Sequence, residues 1–174
     1  MGETNPDLRR RKLINVLSQL AGALSIEQLV MILRGSAREI AAADGITVVR
    51  RRGDRVAYVA EDAVSPLWTG QEFPIESCIS GIAMLENQPI LIPDIYVDPR
   101  VPIEAYAATF VRSMAMFPIG LAEPRMAMGA YWSHAGPPDP DSMLMLSSLA
   151  RSAGTVFDRI DLPTRPNIIR ATAD

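Results

Sequence analysis

The apolar residues of this 174-residue chain change their spacing twice, and that change limits the fold more than any other feature. Leu13, Val16, Leu17, Leu20 and Leu24 recur at three- and four-residue intervals, which predicts an amphipathic helix over 8–24. Ser25 with Gln28 three residues on has capping-box spacing and opens a second helix to about Ala43. Ile26, Leu29, Leu33, Ala37 and Ile40 are its core face, and Asp44-Gly45 stops it, glycine taking the left-handed terminal position. The period then shortens. Ile46–Val49 and Val56–Val59 read as a hairpin around Arg52-Gly53-Asp54, and Ile90–Ile92, Ser113–Ile119 and Met126–Trp132 as further strands. Helical spacing returns in a last helix from Asp139 or Asp141 to about Ile160, which Pro163 ends. Hairpin-linked strands between terminal helices predict an α+β fold, its antiparallel sheet covered on one face by those helices. Residues 61–76, holding Pro66, Trp68, Gly70, Phe73 and Pro74, show no period and read as a long loop. Ser77–Glu86 reads as a short helix, and 102–108 as one or two helical turns.

Charge and rare residues exclude several functions. Seventeen basic against twenty acidic residues leave a net charge of -3, so there is no basic footprint for nucleic acid. The run Arg9–Lys12 is too short for firm anionic binding and reads as a solvated helix start. With one cysteine, Cys78, and one histidine, His134, neither an internal disulfide nor a Cys/His zinc cluster can form. No 18-residue apolar run exists and the first residues lack signal-peptide order, so no membrane association and a cytoplasmic location are expected. From Met1 and the proline-broken tail a complete small protein is expected, with the front end of a longer kinase as the alternative.

The middle of the chain resembles a known family. Pro74–Ala83 with Ser80-Gly81-Ile82 at its centre, Gln88-Pro89-Ile90-Leu91-Ile92-Pro93-Asp94-Ile95, Asp98-Pro99-Arg100 and Val111-Arg112-Ser113 follow one another as in GAF domains, especially those ahead of bacterial sensor histidine kinases. The resemblance runs from about Ser25 to Ile160. It implies a GAF-like antiparallel sheet of five or six strands, with the terminal helices on one face. Loops and short helices of residues 61–110 would form a small-molecule pocket on the other. It divides the chain into an N-terminal helix for dimerisation and signalling (1–24), a GAF domain (25–160) and a flexible tail (161–174). The family names no single ligand: cyclic nucleotides, bilins, haem and small metabolites are all used, and some members bind nothing.

The residues test those chemistries. Bilin attachment uses a cysteine typically followed by histidine, but Ile79 follows Cys78. The GAF-type reductase of free methionine sulfoxide needs a second cysteine to resolve a sulfenic acid. The cyclic-nucleotide signature fails at Gln88, which follows Asn87. His134, beside Gly136-Pro137-Pro138, reads as a surface residue rather than an axial haem ligand. No cofactor is therefore expected. Cys78 reads as a small buried hydrophobe, though a helix N-terminus would lower its pKa and make it redox-sensitive.

Ligand contacts are expected from Trp68, Phe73, Cys78, Tyr96, Tyr106 and Phe110 as walls, and from Asp94, Arg100 and Arg112 as charges. Arg112 also suits a structural pair with Asp94. Met114, Met116, Met126 and Met128 on neighbouring strands would line one sheet face. In the last helix Met143, Leu146, Ala150, Ala153 and Phe157 form a heptad-like seam beside a second stripe of Leu144, Leu149 and Val156. With Leu13, Val16 and Leu20 of the first helix, that seam predicts a homodimer. The expected function is a non-catalytic sensor that binds a small molecule or reads redox state. It would relay the change through its terminal helices to a signalling effector such as a histidine kinase. The alternative is a ligand-free dimerisation or protein-interaction module.

Overall fold

Asn5 accepts the Asp7 N–H and starts helix α1, Pro6–Ala21, in a computed structural model that describes residues 5–162. Ser25 caps α2, Ile26–Ala41, by accepting the Gln28 N–H at 3.1 Å, and Gln28 Oε1 accepts the Leu24 N–H in return. Six strands follow: β1 Gly45–Arg52, β2 Arg55–Ala63, β3 Glu72–Pro74, β4 Ile90–Ile92, β5 Ser113–Ile119 and β6 Met126–Trp132. Between them lie α3, Ile79–Glu86, and the single turn α4, Ile103–Tyr106; α5, Pro140–Asp161, closes the fold. The sheet runs β3-β2-β1-β6-β5-β4 with every pair antiparallel. The α+β architecture expected from the spacing is what forms.

Two apolar layers sandwich the sheet. α1, α2 and α5 close over Ile46, Val48, Phe117, Ile119, Met126 and Met128. The other face buries Val49, Val56, Tyr58, Met114, Met116 and Tyr131 beneath α3, α4 and the loops. Among the described residues no helix is long and apolar enough to cross a membrane.

Several expectations change. The stretch 61–76 is not all loop: β2 runs to Ala63, and β3 pairs with it through Arg55↔Pro74, Val56↔Phe73 and Ala57↔Glu72. Ala42, not Gly45, takes the left-handed position ending α2, at φ 48°. Gly45 instead begins β1, where an added Cβ would meet the Phe110 ring and Ala63 at 2.9 Å. No methionine face exists. The β5–β6 turn pairs even with odd positions, Met116↔Gly129 and Phe117↔Met128, so Met114 and Met116 lie on the opposite face from Met126 and Met128.

The helical seam is also spent within the chain. α5 packs on the sheet and on both other helices, which uses the first stripe and, of the second, Leu149 and Val156 but not Leu144. Val16, Leu20, Leu146, Ala150, Ala153 and Phe157 are buried in the helix-side core, and Leu13 and Met143 pack on its margin. The buried six are not open to a partner; Ile14 and Leu144, 66% and 69% exposed, are. Helix α5 includes Asp161, and the rest of the expected tail lies outside the described residues from residue 163 on.

Candidate functional site

On the loop side of the sheet the chain buries hydroxyls and a thiol among aromatic rings. Strand alternation points Thr47 of β1, Tyr58 of β2 and Tyr131 of β6 to this face. The Tyr131 hydroxyl lies 2.9 Å from Thr47 Oγ1. Tyr58 shares a 3.3 Å hydrogen bond with Ser80, whose Oγ is 3.4 Å from Cys78 Sγ at the start of α3. Thr47, Ser80, Tyr58, Tyr131 and Cys78 are all buried. Gly81 lets α3 approach this closely, because a Cβ there would fall 1.7 Å from the Ile75 carbonyl oxygen.

Trp68 is the centre of the aromatic set. Its ring meets Tyr58, Tyr106 and Tyr131 edge to face at centroid distances of 5.4, 4.7 and 5.4 Å, and Phe73 packs on Tyr58 at 5.6 Å. Its indole N–H donates to the Ala105 carbonyl in α4 at 3.0 Å, tying two covering segments together. Glu61, on β2, accepts the backbone N–H groups of Leu67, Trp68 and Thr69, each at 2.9 Å. Partial burial works against that charge, but these hydrogen bonds outweigh it and hold the carboxyl below its ordinary value.

The space left is small. A cavity of about 10 Å³ remains, lined by Tyr58, Trp68, Phe73, Cys78, Pro102, Ala105 and Tyr106. That is about the least volume that holds one water molecule. Burial pushes the phenols of Tyr58, Tyr106 and Tyr131 above their ordinary 10.0. Burial also pushes the Cys78 thiol up, against the bonds from Ser80 and the Gly81 backbone. Cys78 is thus the small buried hydrophobe expected, and the lowered pKa that a helix start could have given it is reversed, because desolvation dominates. His134 is exposed on the loop after β6, and its carbonyl accepts the Ser113 hydroxyl.

Of the expected ligand residues, Trp68, Phe73, Cys78 and Tyr106 meet at this cavity. Phe110 does not line it; it packs, partly buried, on the same apolar layer against Gly45. The charged residues do not come inside. Arg112 pairs with Asp94 at 3.6 Å and lies over the Tyr96 ring at 5.0 Å, and Tyr96 is itself 58% exposed. Arg100 pairs with Asp98 at 2.7 Å on the surface. An anion held by these arginines inside the pocket is not what this arrangement supports. Tyr58, Tyr131, Thr47, Ser80 and Glu61 were missed, although strand parity places both tyrosines on the Val56 and Ala127 face. Among the described residues no group of His, Cys, Asp or Glu could hold a metal ion.

A wider open groove of about 710 Å³ lies at the opposite layer, where Arg9, Trp132, Asp139 and Ser142 line the starts of α1 and α5. Its buried Arg9 donates to the Ile40 carbonyl, Ser142 and Asp139, so the charge is used in joining the helices. The chemistry converges at the aromatic site instead.

No family model matches the chain, and no curated protein matches it. Solved structures do. A free methionine-R-sulfoxide reductase from Neisseria meningitidis, in complex with its substrate, aligns at a TM-score of 0.73 with 15% identity, over 94% of this chain and 96% of that one. The GAF domain of a phosphoenolpyruvate-protein phosphotransferase from Coxiella burnetii gives 0.74 with 14% identity, over 91% and 99%. A putative GAF sensor protein from Burkholderia vietnamiensis gives 0.68 with 13% identity, over 85% and 92%. The fold is that of a GAF domain. At these identities the likeness reaches the fold and stops short of a kinase-linked type. A reductase and a sensor share the GAF fold, so the fold leaves catalysis undecided and the residues must be weighed.

Proposed function

We propose that this chain is a non-catalytic regulatory domain of GAF fold that recognises a small neutral molecule in its aromatic interior. The observation carrying this reading is the buried Thr47–Tyr131 and Tyr58–Ser80–Cys78 hydrogen-bonded set inside an aromatic shell beneath two covering segments. A site of apolar walls with a few fixed polar groups is suited to recognition. Catalysis is disfavoured by the same geometry. The phenols and the thiol are held protonated, and no second cysteine exists to resolve an oxidised Cys78.

Binding would move the segments that cover the site, and the sheet would pass that change to the helices. A signalling effector such as a histidine kinase, or a second copy of the chain, would read it on the outer face of α1 and α5. Arg10 and Asp141 pair at 3.0 Å there, and Ile14 and Leu144 stand about one turn further along each helix, exposed. A second reading, a ligand-free interaction module, is favoured by the small cavity. Hydrogen exchange with and without a compound that raises the melting temperature separates the two. The sensory reading expects altered protection at 64–71 and 103–106 and also in α1 and α5. No stabilising compound, or protection confined to the site, supports the interaction module.

A further inference from the structure

We propose that Trp68 is a displaceable plug, latched by Glu61, whose seat takes a neutral planar aromatic molecule of about indole size bearing an N–H group. This rests on the reading of the interior as a recognition site and names its occupant and its latch. Pockets of ligand-binding domains run to hundreds of Å³, against about 10 Å³ here. The difference is filled by the indole, which is 4% exposed and packed edge to face by three tyrosines. Its one polar atom donates to the Ala105 carbonyl, a demand that an incoming N–H could meet equally well. None of the cavity-lining side chains carries a charge, so the seat selects a neutral guest.

The plug is on a short tether. Val64, Ser65, Pro66, Thr69, Gly70 and Gln71 are exposed, and only Leu67 and Trp68 turn inward. A single carboxylate, that of Glu61, accepts the three consecutive N–H groups of 67–69. Elsewhere the segment is held by Val64 N–H to the Asp44 carbonyl, by Gly70 N–H to the Tyr58 carbonyl and Tyr58 N–H to the Gln71 carbonyl, and by a local turn in which Gln71 N–H donates to the Trp68 carbonyl. Loss of the latch frees the indole without disturbing the β1–β2 ladder. Swinging it out also breaks the Ala105 bond and so uncouples the 64–71 segment from α4.

Two arms test this on the full chain. In a Trp132→Phe background, which leaves Trp68 as the only indole, Glu61→Ala is expected to raise acrylamide quenching several-fold with unchanged far-ultraviolet circular dichroism. In Trp68→Ala, indole at tenfold excess over its Kd is expected to raise the melting temperature by about 4 °C. Unchanged quenching in Glu61→Ala, or a folded Trp68→Ala protein that indole leaves unmoved, overturns the proposal. If Trp68→Ala does not fold, the quenching arm decides alone. Success of both arms beside a wild-type chain that no compound stabilises would remove the sensory reading and keep the plug.

Discussion

The hydroxyl of Tyr131 lies 2.9 Å from Oγ1 of Thr47, and neither side chain has any solvent exposure. A hydrogen bond in so dry a place costs most when only one partner is removed. Thr47→Val is therefore expected to lower stability by about 1–3 kcal/mol, by removing a hydrogen-bond partner of the buried phenol. Tyr131→Phe in the Thr47→Val background should cost less than it does alone. Chemical denaturation of the four proteins of this double-mutant cycle checks it; additive losses would show that the two hydroxyls are not coupled.

Alkaline titration reads the same site. Tyr58, Tyr106 and Tyr131 have phenol pKa values raised by burial above the ordinary 10.0. A raised folded value means the protonated form is favoured in the fold. The stabilisation is complete below the unfolded pKa and is lost as pH climbs beyond it toward the folded value. Tyrosinate absorbance from these three residues is expected to rise only together with unfolding. A tyrosinate rise from these rings, followed by nuclear magnetic resonance, in a chain that stays folded would contradict their burial.

Cys78 should behave as an inert thiol. It is 5% exposed, and burial raises its pKa. Ellman's reagent is expected to label it slowly in the native chain and at once in denaturant. Rapid native labelling would restore a redox role.

Charge at the rim is expected to matter little. Arg112 and Asp94 pair across a partly exposed gap of 3.6 Å, and Arg112→Ala should cost about 1 kcal/mol or less. Loss of ligand-induced stabilisation in Arg112→Ala, with the fold intact, would bring the arginine back into the site.

The helices give a contrast between two leucines. Leu146 is fully buried and Leu144 is 69% exposed. Leu146→Ala is expected to cost about 2–5 kcal/mol by leaving a cavity. Leu144→Ala should cost about 0.5 kcal/mol or less. Equal losses of stability would contradict the packing of α5.

The contrast shows how far the sequence could be read. Helical and strand periods located α1, α2, α5 and the strands β1, β2, β5 and β6 of the antiparallel sheet, because each carries its own hydrophobic pattern. The three-residue β3 was invisible, since its pairing partners and not its own pattern make it a strand. The helical seam was read correctly as apolar. Whether it meets the sheet or a partner depends on α1 and α2 lying across α5, which no local spacing reveals. Trp68, Phe73 and Tyr106 were legible because aromatic residues in irregular segments need somewhere to go. Tyr58 and Tyr131 were read only as parts of strands, and Glu61 as an ordinary charge at a strand end. Arg100 and Arg112 drew attention as anion binders, but desolvation holds such charges at the surface with Asp98 and Asp94.

The central claim is that the interior beneath Trp68 recognises a molecule and does not transform it. Native mass spectrometry of the full chain, after incubation with a small-molecule extract and again after unfolding, tests this most directly. The expected result is a noncovalent adduct of one defined mass, absent from Tyr106→Ala and released chemically unchanged. A bare chain under every condition, or a released compound altered from the one supplied, would contradict it.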